Sequence, residues 1–371
     1  MKSTQLHSYH MQHAKLTEFA GYEMPLWYTT TTGEHLAARN RSGIFDVSHM
    51  GRFEIGGEAT TAFLEGLVPT QVGLQTVGKA FYTLLLNDRG GIIDDLIIMR
   101  LGADRYLAVV NAANAEVDMA HIKASDPPPG VAINDITAAS AMIAVQGPEA
   151  QRSLQPLTNL DLSQLKRFRC AATKVLGYDA LISRTGYTGE DGFEVIIFGA
   201  TNQEPTAALA VWEKLAATCT PCGLGARDSL RLEAGFPLHG SDIDQNTNPY
   251  QADLSWVISA GKSGYVGSEA VADFASHPPN IVRRGLVLDQ GIPRHGFEVM
   301  AGNTTAGSVT SGTFSPILRK GIALCKVRLS VSEPGSQVSV MIRESPQTGR
   351  IAKPPFYDER IYGWKRASNG N

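Results

Sequence analysis

Along most of the chain, alternating or wholly apolar runs give way to stretches with an apolar residue every third or fourth place, so strands and helices are interleaved. Tyr178–Ser183 and Phe193–Phe198 read as strands. Between them lies Arg184-Thr185-Gly186-Tyr187-Thr188-Gly189-Glu190-Asp191-Gly192-Phe193-Glu194, whose three glycines let the backbone turn where a side chain would clash. On spacing alone this is a hairpin with acidic turn residues. Ala141–Gln146 predicts another strand, closed by Gly147-Pro148 and followed by a helix from Glu149. Residues 34–39 predict a helix ending near Ser42-Gly43, where the glycine takes a left-handed terminal conformation. Arg52–Ile55 alternates as a strand, and Lys79–Met99 forms a hairpin turning at Asn87-Asp88-Arg89-Gly90-Gly91.

The second strand of that hairpin is apolar on both faces yet carries Asp94 and Asp95. A buried unpaired carboxylate costs several kcal/mol, so such a residue is paired, at an edge, or turned into a functional cavity. Neighbours in a strand point to opposite faces, and both faces here are equally apolar, so periodicity does not choose between the two aspartates. Tyr106–Asn114 reads as a strand ending in two amides, Asn111 and Asn114, for which capping the next helix is the simplest role. Ala208, Val211, Trp212 and Leu215 mark one helix; Ala226–Glu233 marks another, with Arg227 and Arg231 on one face. Charges placed like these predict a solvated face or a local ion pair with Asp228 or Glu233.

A break falls at Ala275–Asn280. Beyond it, short apolar runs separated by glycine and proline turns predict an all-β barrel or sandwich of about 90 residues. The fold class is therefore α+β followed by a small β domain, without internal repeats, and the polar tail from Arg366 to Asn371 is expected to be disordered.

Composition narrows the function. At 371 residues and 43% hydrophobic content the chain exceeds one ordinary domain and can bury a sizeable core. A net charge of −3 and the lack of a dense basic tract with aromatics argue against nucleic acid, and no run approaches the length of a membrane span. Four cysteines make no disulfide framework, which fits a soluble, cytoplasmic protein. Cys219-Thr220-Pro221-Cys222 follows a helical pattern and has no second pair, so it reads as one buried cysteine with an incidental neighbour, and no metal is expected. His7, His10 and His13 have no carboxylate between Ser8 and Gln12 and read as a solvated or partly packed segment. Gly223 and Gly225 lack the third glycine of a dinucleotide fingerprint and the lysine of a phosphate loop.

Seven motifs stand in one register. They are Phe45-Asp46-Val47-Ser48-His49-Met50, Gly90-Gly91-Ile92-Ile93-Asp94-Asp95-Leu96, Val145-Gln146-Gly147-Pro148, Gly186–Glu194, Gly223–Gly235, Thr310-Ser311-Gly312-Thr313-Phe314-Ser315-Pro316 and Lys353-Pro354-Pro355-Phe356. In that order, from about residue 5 to 357, the chain resembles the aminomethyltransferase (T-protein) family of the glycine cleavage system. The resemblance implies a three-lobed folate-binding fold around a central hole. Residues 1–278 would form the folate-binding region, with two interleaved α+β subdomains, and residues 279–371 a C-terminal β-barrel domain. It implies transfer of a one-carbon unit from the aminomethyl-dihydrolipoyl arm of H-protein to tetrahydrofolate, giving 5,10-methylenetetrahydrofolate and ammonia. It places the catalytic role at Asp95 and folate contacts at Met50, Tyr82, Asn111, Glu194 and Arg227. Tyr265-Val266-Gly267 departs from the Phe-Ile-Gly more usual in the family, and the segment around Tyr362 aligns too loosely to carry a ligand contact.

These residue types suit the chemistry. A carboxylate such as Glu194 accepts from the donor edge of a pterin, Arg227 donates to its acceptors or to an anionic tail, and Tyr82 and Met50 offer flat apolar contact. No protein nucleophile is required, because the folate nitrogen attacks and the protein aligns and stabilises charge. Two rivals are a folate-dependent demethylase of a methylated amine or sulfonium compound, and a non-enzymatic folate-binding protein of iron–sulfur cluster maintenance. The second carries a lysine-glycine-cysteine-tyrosine run where this chain has Arg184-Thr185-Gly186-Tyr187, with no cysteine.

Overall fold

The computed structural model describes residues 1–366; residues 367–371, most of the tail expected to be disordered, lie outside the described residues. Two compact units share the chain, one of residues 1–67, 71–83 and 95–227, the other of residues 68–70, 84–94 and 228–371.

The first unit holds a six-stranded sheet in the order Cys170–Val175, Tyr178–Ser183, Gly192–Phe198, Ser140–Gln146, Gly43–Asp46 and Thr220–Pro221, antiparallel except for the last pair. Ser140–Gln146 is buried along its whole length, as its unbroken apolar run requires of a central strand. Its alternate residues Ile143 and Val145, with Val195 and Ile197 of the neighbouring strand, share a core with helix Thr206–Ala216. That helix buries the four residues its 3.6-residue period selects, Ala208, Val211, Trp212 and Leu215.

A five-stranded sheet runs Ala80–Leu86, Ile92–Gly102, Arg105–Val110, Gly51–Gly56 and Ala132–Asp135, and its first two strands continue from one unit into the other. The expected hairpin is present: Asn87 Oδ1 accepts from the amides of Arg89 and Gly91, both at 3.0 Å, and Gly90 takes φ 75°.

Several local expectations are corrected. Helix Thr31–Asn40 forms, with Thr30 Oγ1 accepting from Gly33 N at 3.1 Å as its N-cap, but Gly43 does not end it in a left-handed turn. Gly43 instead opens strand Gly43–Asp46, and a Cβ there would lie 2.8 Å from Cys222 Sγ; the glycine serves close packing. In the loop from Arg184 to Glu194 only Gly189 has positive φ, 81°. At Gly186 and Gly192 a Cβ would overlap Gln146, so those two glycines admit a neighbour instead of turning the chain. Asn114 occupies the N-cap position of helix Ala115–Ala124 without a side-chain cap bond, and Asn111 turns to Asp95. Both Cys219 and Cys222 are buried, not one. The N-terminal histidines are partly packed, within the expectation: in helix His7–His13, His13 is exposed, His7 is half-buried against Glu23 and His10 is fully buried against Asp46, both carboxylates coming from later in the chain.

The second unit contains a closed six-stranded barrel, in the order Ile281–Leu288, Lys320–Arg328, Thr304–Ser315, Glu298–Ala301, Gln337–Ile342 and Ser345–Ala352, which returns to the first strand. Closure leaves no free sheet edge, and Leu286, Val299, Val309, Val327, Val340 and Ile351 fill the interior. Arg231, in helix Leu224–Ala234, does pair with Asp228 as its spacing predicts, at 2.8 Å, but the side chain is buried instead of solvated. Asp242 holds it at 2.7 Å and also accepts from Thr310 and Ser311, while Ser311 Oγ accepts from Arg231 Nη2 at 2.9 Å. With Ser315 donating to Glu233 and Phe356 N donating to Glu233 O at 2.8 Å, three of the seven motifs meet in one hydrogen-bonded hub.

Candidate active site

Two groups of the expected site residues assemble within the first unit. Asp95 lies on Ile92–Gly102, partly exposed, while Asp94 on the opposite face is fully buried. Tyr82 Oη donates to Asp95 Oδ2 at 3.0 Å, and Asn111 Nδ2 donates to Asp95 Oδ1 at 3.0 Å and to its main-chain oxygen at 3.1 Å. Each carboxylate oxygen thus has a neutral donor, and the two bonds together fix the carboxylate plane.

The second group forms around Glu194, at the register position opposite Ser183. Thr185 Oγ1 donates to Glu194 Oε2 at 2.5 Å; since its one proton is committed there, Ser183 Oγ donates to Thr185 at 2.7 Å. Glu194 Oε1 meets no donor among the described residues. The Arg227 guanidinium lies over the Tyr187 ring, 5.0 Å from its centroid, and its buried Nη1 has no hydrogen-bond partner among the described residues. Burial pushes the Glu194 carboxyl above its ordinary range, against the pull of Thr185 and Arg227, and burial likewise lowers Arg227 despite the Glu194 charge.

Residues outside the expected set hold this architecture. Gln146, at the end of the buried strand, donates through Nε2 to Thr185 O at 3.1 Å and accepts at Oε1 from Thr188 at 2.8 Å. Arg39 donates to Thr188 O at 2.8 Å and to Glu190 Oε1 at 3.0 Å, and Arg184 pairs with Asp191. The acidic turn residues are therefore internal clamps. A polar residue ending a wholly apolar strand, as Gln146 does in the sequence, was the available signal for the first of these.

Met50 sits in a turn secured from both sides. Asp46 accepts from Thr4 Oγ1 at 2.6 Å and from Ser48 N at 2.9 Å, and lies 2.9 Å from His10 Nε2, whose Nδ1 lies 2.8 Å from Tyr28 Oη. Burial works to raise the Asp46 carboxyl, but the His10 contact and the other hydrogen bonds hold it at about 2. The buried Arg52 donates from Nη1 to Ser48 O at 3.1 Å and to Met50 O at 2.6 Å. His49 is almost fully buried, edge-on to Phe19 and Tyr22 at 5.6 and 6.3 Å, and its Nδ1 has no hydrogen-bond partner among the described residues.

Burial first, then the charge of Arg227, holds His49 down from 6.5 to about 3. On acidification the unfolded chain gains this proton before the folded one does. The stability that depends on a neutral ring is complete above pH 6.5 and is lost as pH falls toward 3. Urea unfolding at pH 7.5 and pH 5 should therefore show a loss of about 2 kcal/mol assignable to this ring, absent from His49→Gln. Equal pH slopes in the two proteins would exclude His49 as the source.

Comparisons with known proteins identify the family. Residues 6–262 match the GCVT N-terminal domain, and residues 282–358 match the glycine cleavage T-protein C-terminal barrel domain. The chain belongs to the glycine cleavage T-protein family. Its relatives include an aminomethyltransferase of Thermus thermophilus, 44% identical over 93% of this chain and 97% of that one. Another, from Synechococcus elongatus, is 40% identical over 93% and 92%. The crystal structure of glycine cleavage system aminomethyltransferase T from Bartonella henselae superposes with a TM-score of 0.90 at 32% identity, covering 97% of this chain and 99% of that one. Among the described residues no helix is long and apolar enough to cross a membrane.

Proposed function

We propose that this protein is a tetrahydrofolate-dependent aminomethyltransferase of a glycine cleavage system, moving the one-carbon unit from the aminomethyl-dihydrolipoyl arm of lipoylated H-protein to tetrahydrofolate with release of ammonia. Within this reading residues 1–278 form the folate-binding region and residues 279–371 the barrel domain, and the enzyme works in the cytoplasm, where its four buried free cysteines stay reduced.

The observation that carries the reading is a pair of groups unmet among the described residues: a buried Arg227 Nη1 without an acceptor, its guanidinium over the Tyr187 ring, and a Glu194 Oε1 without a donor, the two charges acting on each other. Leaving a buried donor unmatched costs about 1–3 kcal/mol, and a ring edge bearing both amide oxygen and amino donors satisfies both groups at once. Folate supplies the attacking nitrogen. Glu194 and Arg227 orient its pterin, Tyr187 and Met50 contribute apolar surface, and Asp95, fixed by Tyr82 and Asn111, places negative charge where the donor carbon becomes cationic as ammonia departs.

The non-enzymatic alternative meets a steric objection. Its cysteine would fall at Gly186, where any Cβ overlaps the Gln146 side chain that pins the loop. Mixing the protein with aminomethylated H-protein and tetrahydrofolate should release ammonia and methylenetetrahydrofolate together. Formation of neither above the protein-free rate would defeat the proposal.

A further inference from the structure

Glu194 is the end of a short chain of buried side chains. Ser183 lies opposite it in the sheet register, and Thr185 Oγ1 stands between them, 2.7 Å from Ser183 Oγ and 2.5 Å from Glu194 Oε2. All three residues are buried. Thr185 is held through its main chain: Gln146 Nε2 donates to its carbonyl at 3.1 Å, and the carbonyl of Arg184 before it accepts from Phe168 N at 3.0 Å. Its hydroxyl is therefore aimed at Glu194 by groups outside the chain of three.

The proton inventory gives that chain a direction. Each hydroxyl carries one proton, and among the described residues Ser183 Oγ meets no side chain but Thr185. In the reverse order a protonated Glu194 would donate to Thr185 and Thr185 to Ser183, leaving the Ser183 proton buried without an acceptor, which is costly. The stable order runs from Ser183 to Thr185 to Glu194. Oε2 is thereby kept as an acceptor, and Oε1 is left for a ligand.

The surroundings of Glu194 make this bond matter. Burial favours the neutral acid, and the Thr185 hydrogen bond is the larger of two influences opposing it, ahead of the Arg227 charge. Arg227 acts on it from helix Leu224–Ala234, with Tyr187 against the guanidinium, while strand Ser140–Gln146 places only Ala144 opposite it. A group so placed depends on one hydroxyl for both its orientation and its charge.

Resting on the folate reading above, we propose that Thr185, oriented by Ser183, is a positioning residue for folate: its hydroxyl holds Glu194 as an acceptor and leaves Oε1 for the donors of the ring. Without the hydroxyl, Glu194 loses its one hydrogen-bond donor among the described residues. The carboxylate then turns more freely and takes up a proton at higher pH.

The test is equilibrium binding of tetrahydrofolate between about pH 5 and pH 9 to the full-length protein and to Thr185→Val, Thr185→Ser and Ser183→Ala. In Thr185→Val, which keeps the branched shape and removes the hydroxyl, affinity on the alkaline plateau should fall about three- to tenfold. The decline on acidification should also begin at higher pH than in the parent, because the influence lost is one that favours the ionised form. Thr185→Ser should restore both features. Ser183→Ala should move the decline in the same direction by less. Titration of the folate itself is common to all the proteins compared and cancels. A loss of equal size at every pH, or a decline at the parent's pH in folded Thr185→Val, would make Thr185 a structural residue and overturn the proposal. Should Thr185→Val not fold, the decision passes to Ser183→Ala: a decline displaced upward supports the role, and an undisplaced one overturns it. No binding of tetrahydrofolate by the parent at any pH would remove the folate reading itself, an outcome distinct from binding with an unmoved pH profile.

Discussion

Asp95→Asn is expected to lower turnover at least about a hundredfold, the scale seen when one preorganised electrostatic contact to a transition state is removed. The geometry makes this substitution clean. In the variant the amide oxygen can accept from Asn111 and the amide nitrogen can donate to Tyr82, whose hydroxyl accepts as well as donates, so both hydrogen bonds survive and only the charge is lost. Folate affinity should change little, and the melting temperature should stay within about 4 °C of the parent. Asp94→Asn should behave in the opposite way. Its carboxylate is fully buried on the other face of the strand, so the substitution should cost about 1–3 kcal/mol of stability and leave the folded fraction catalytically competent. Turnover and thermal melts of both purified variants decide the matter: a near-normal Asp95→Asn enzyme beside a well-folded but inactive Asp94→Asn enzyme would move the catalytic role to the wrong face of the strand for this proposal.

The second large effect is expected at Glu194. Glutamine keeps an oxygen for the Thr185 hydroxyl, so the local fold is retained, but one acceptor toward the ligand becomes a donor and the counter-charge to Arg227 disappears. Loss of a charge-assisted hydrogen bond on the order of 1.5–3 kcal/mol weakens folate binding by roughly 10- to 150-fold. The pH dependence gives a second readout. Because burial raises the Glu194 carboxyl above the ordinary range, folate affinity of the parent should decline as pH falls through that raised value, whereas Glu194→Gln should lack this component. Titration calorimetry showing the same affinity for parent and variant would leave Glu194 as a structural hairpin residue.

Much of the architecture was legible because the relevant information is local. The period of Ala208, Val211, Trp212 and Leu215 gives one buried helical face whatever packs on it, and the glycine and proline punctuation after residue 280 limits the chain to short strands. Turn chemistry at Asn87–Gly91 is likewise carried by the residues themselves, through Asn87 Oδ1 and the left-handed Gly90. The motif register made the family recognisable and, with it, the candidate residues.

Local signals misled where a side chain's partner lies far along the chain. Asn111 has the sequence position of a helix cap, but its amide is drawn to Asp95, 16 residues away, because strands Ile92–Gly102 and Arg105–Val110 pair in that register. Gly186 and Gly192 look like turn glycines, yet the space they leave is occupied by Gln146, 40 and 46 positions earlier (186 − 146 and 192 − 146). His10 has no carboxylate nearby in sequence and finds Asp46 across 36 residues.

By itself, then, the sequence determined the order and type of most elements and the barrel-forming character of the C-terminal region, which follow from periodicity and turn propensity, while the candidate site residues came from the family resemblance that its motif register carries. Only the tertiary structure decided which of two adjacent carboxylates is sealed in and which remains accessible, and that Arg227 Nη1 meets no acceptor among the described residues while Arg231 is held by Asp242. Alternation along a strand says that Asp94 and Asp95 face apart, and helical spacing says that Arg227 and Arg231 share a side. Which face is covered, and by what, depends on groups brought together from distant parts of the chain, and no local pattern encodes that choice.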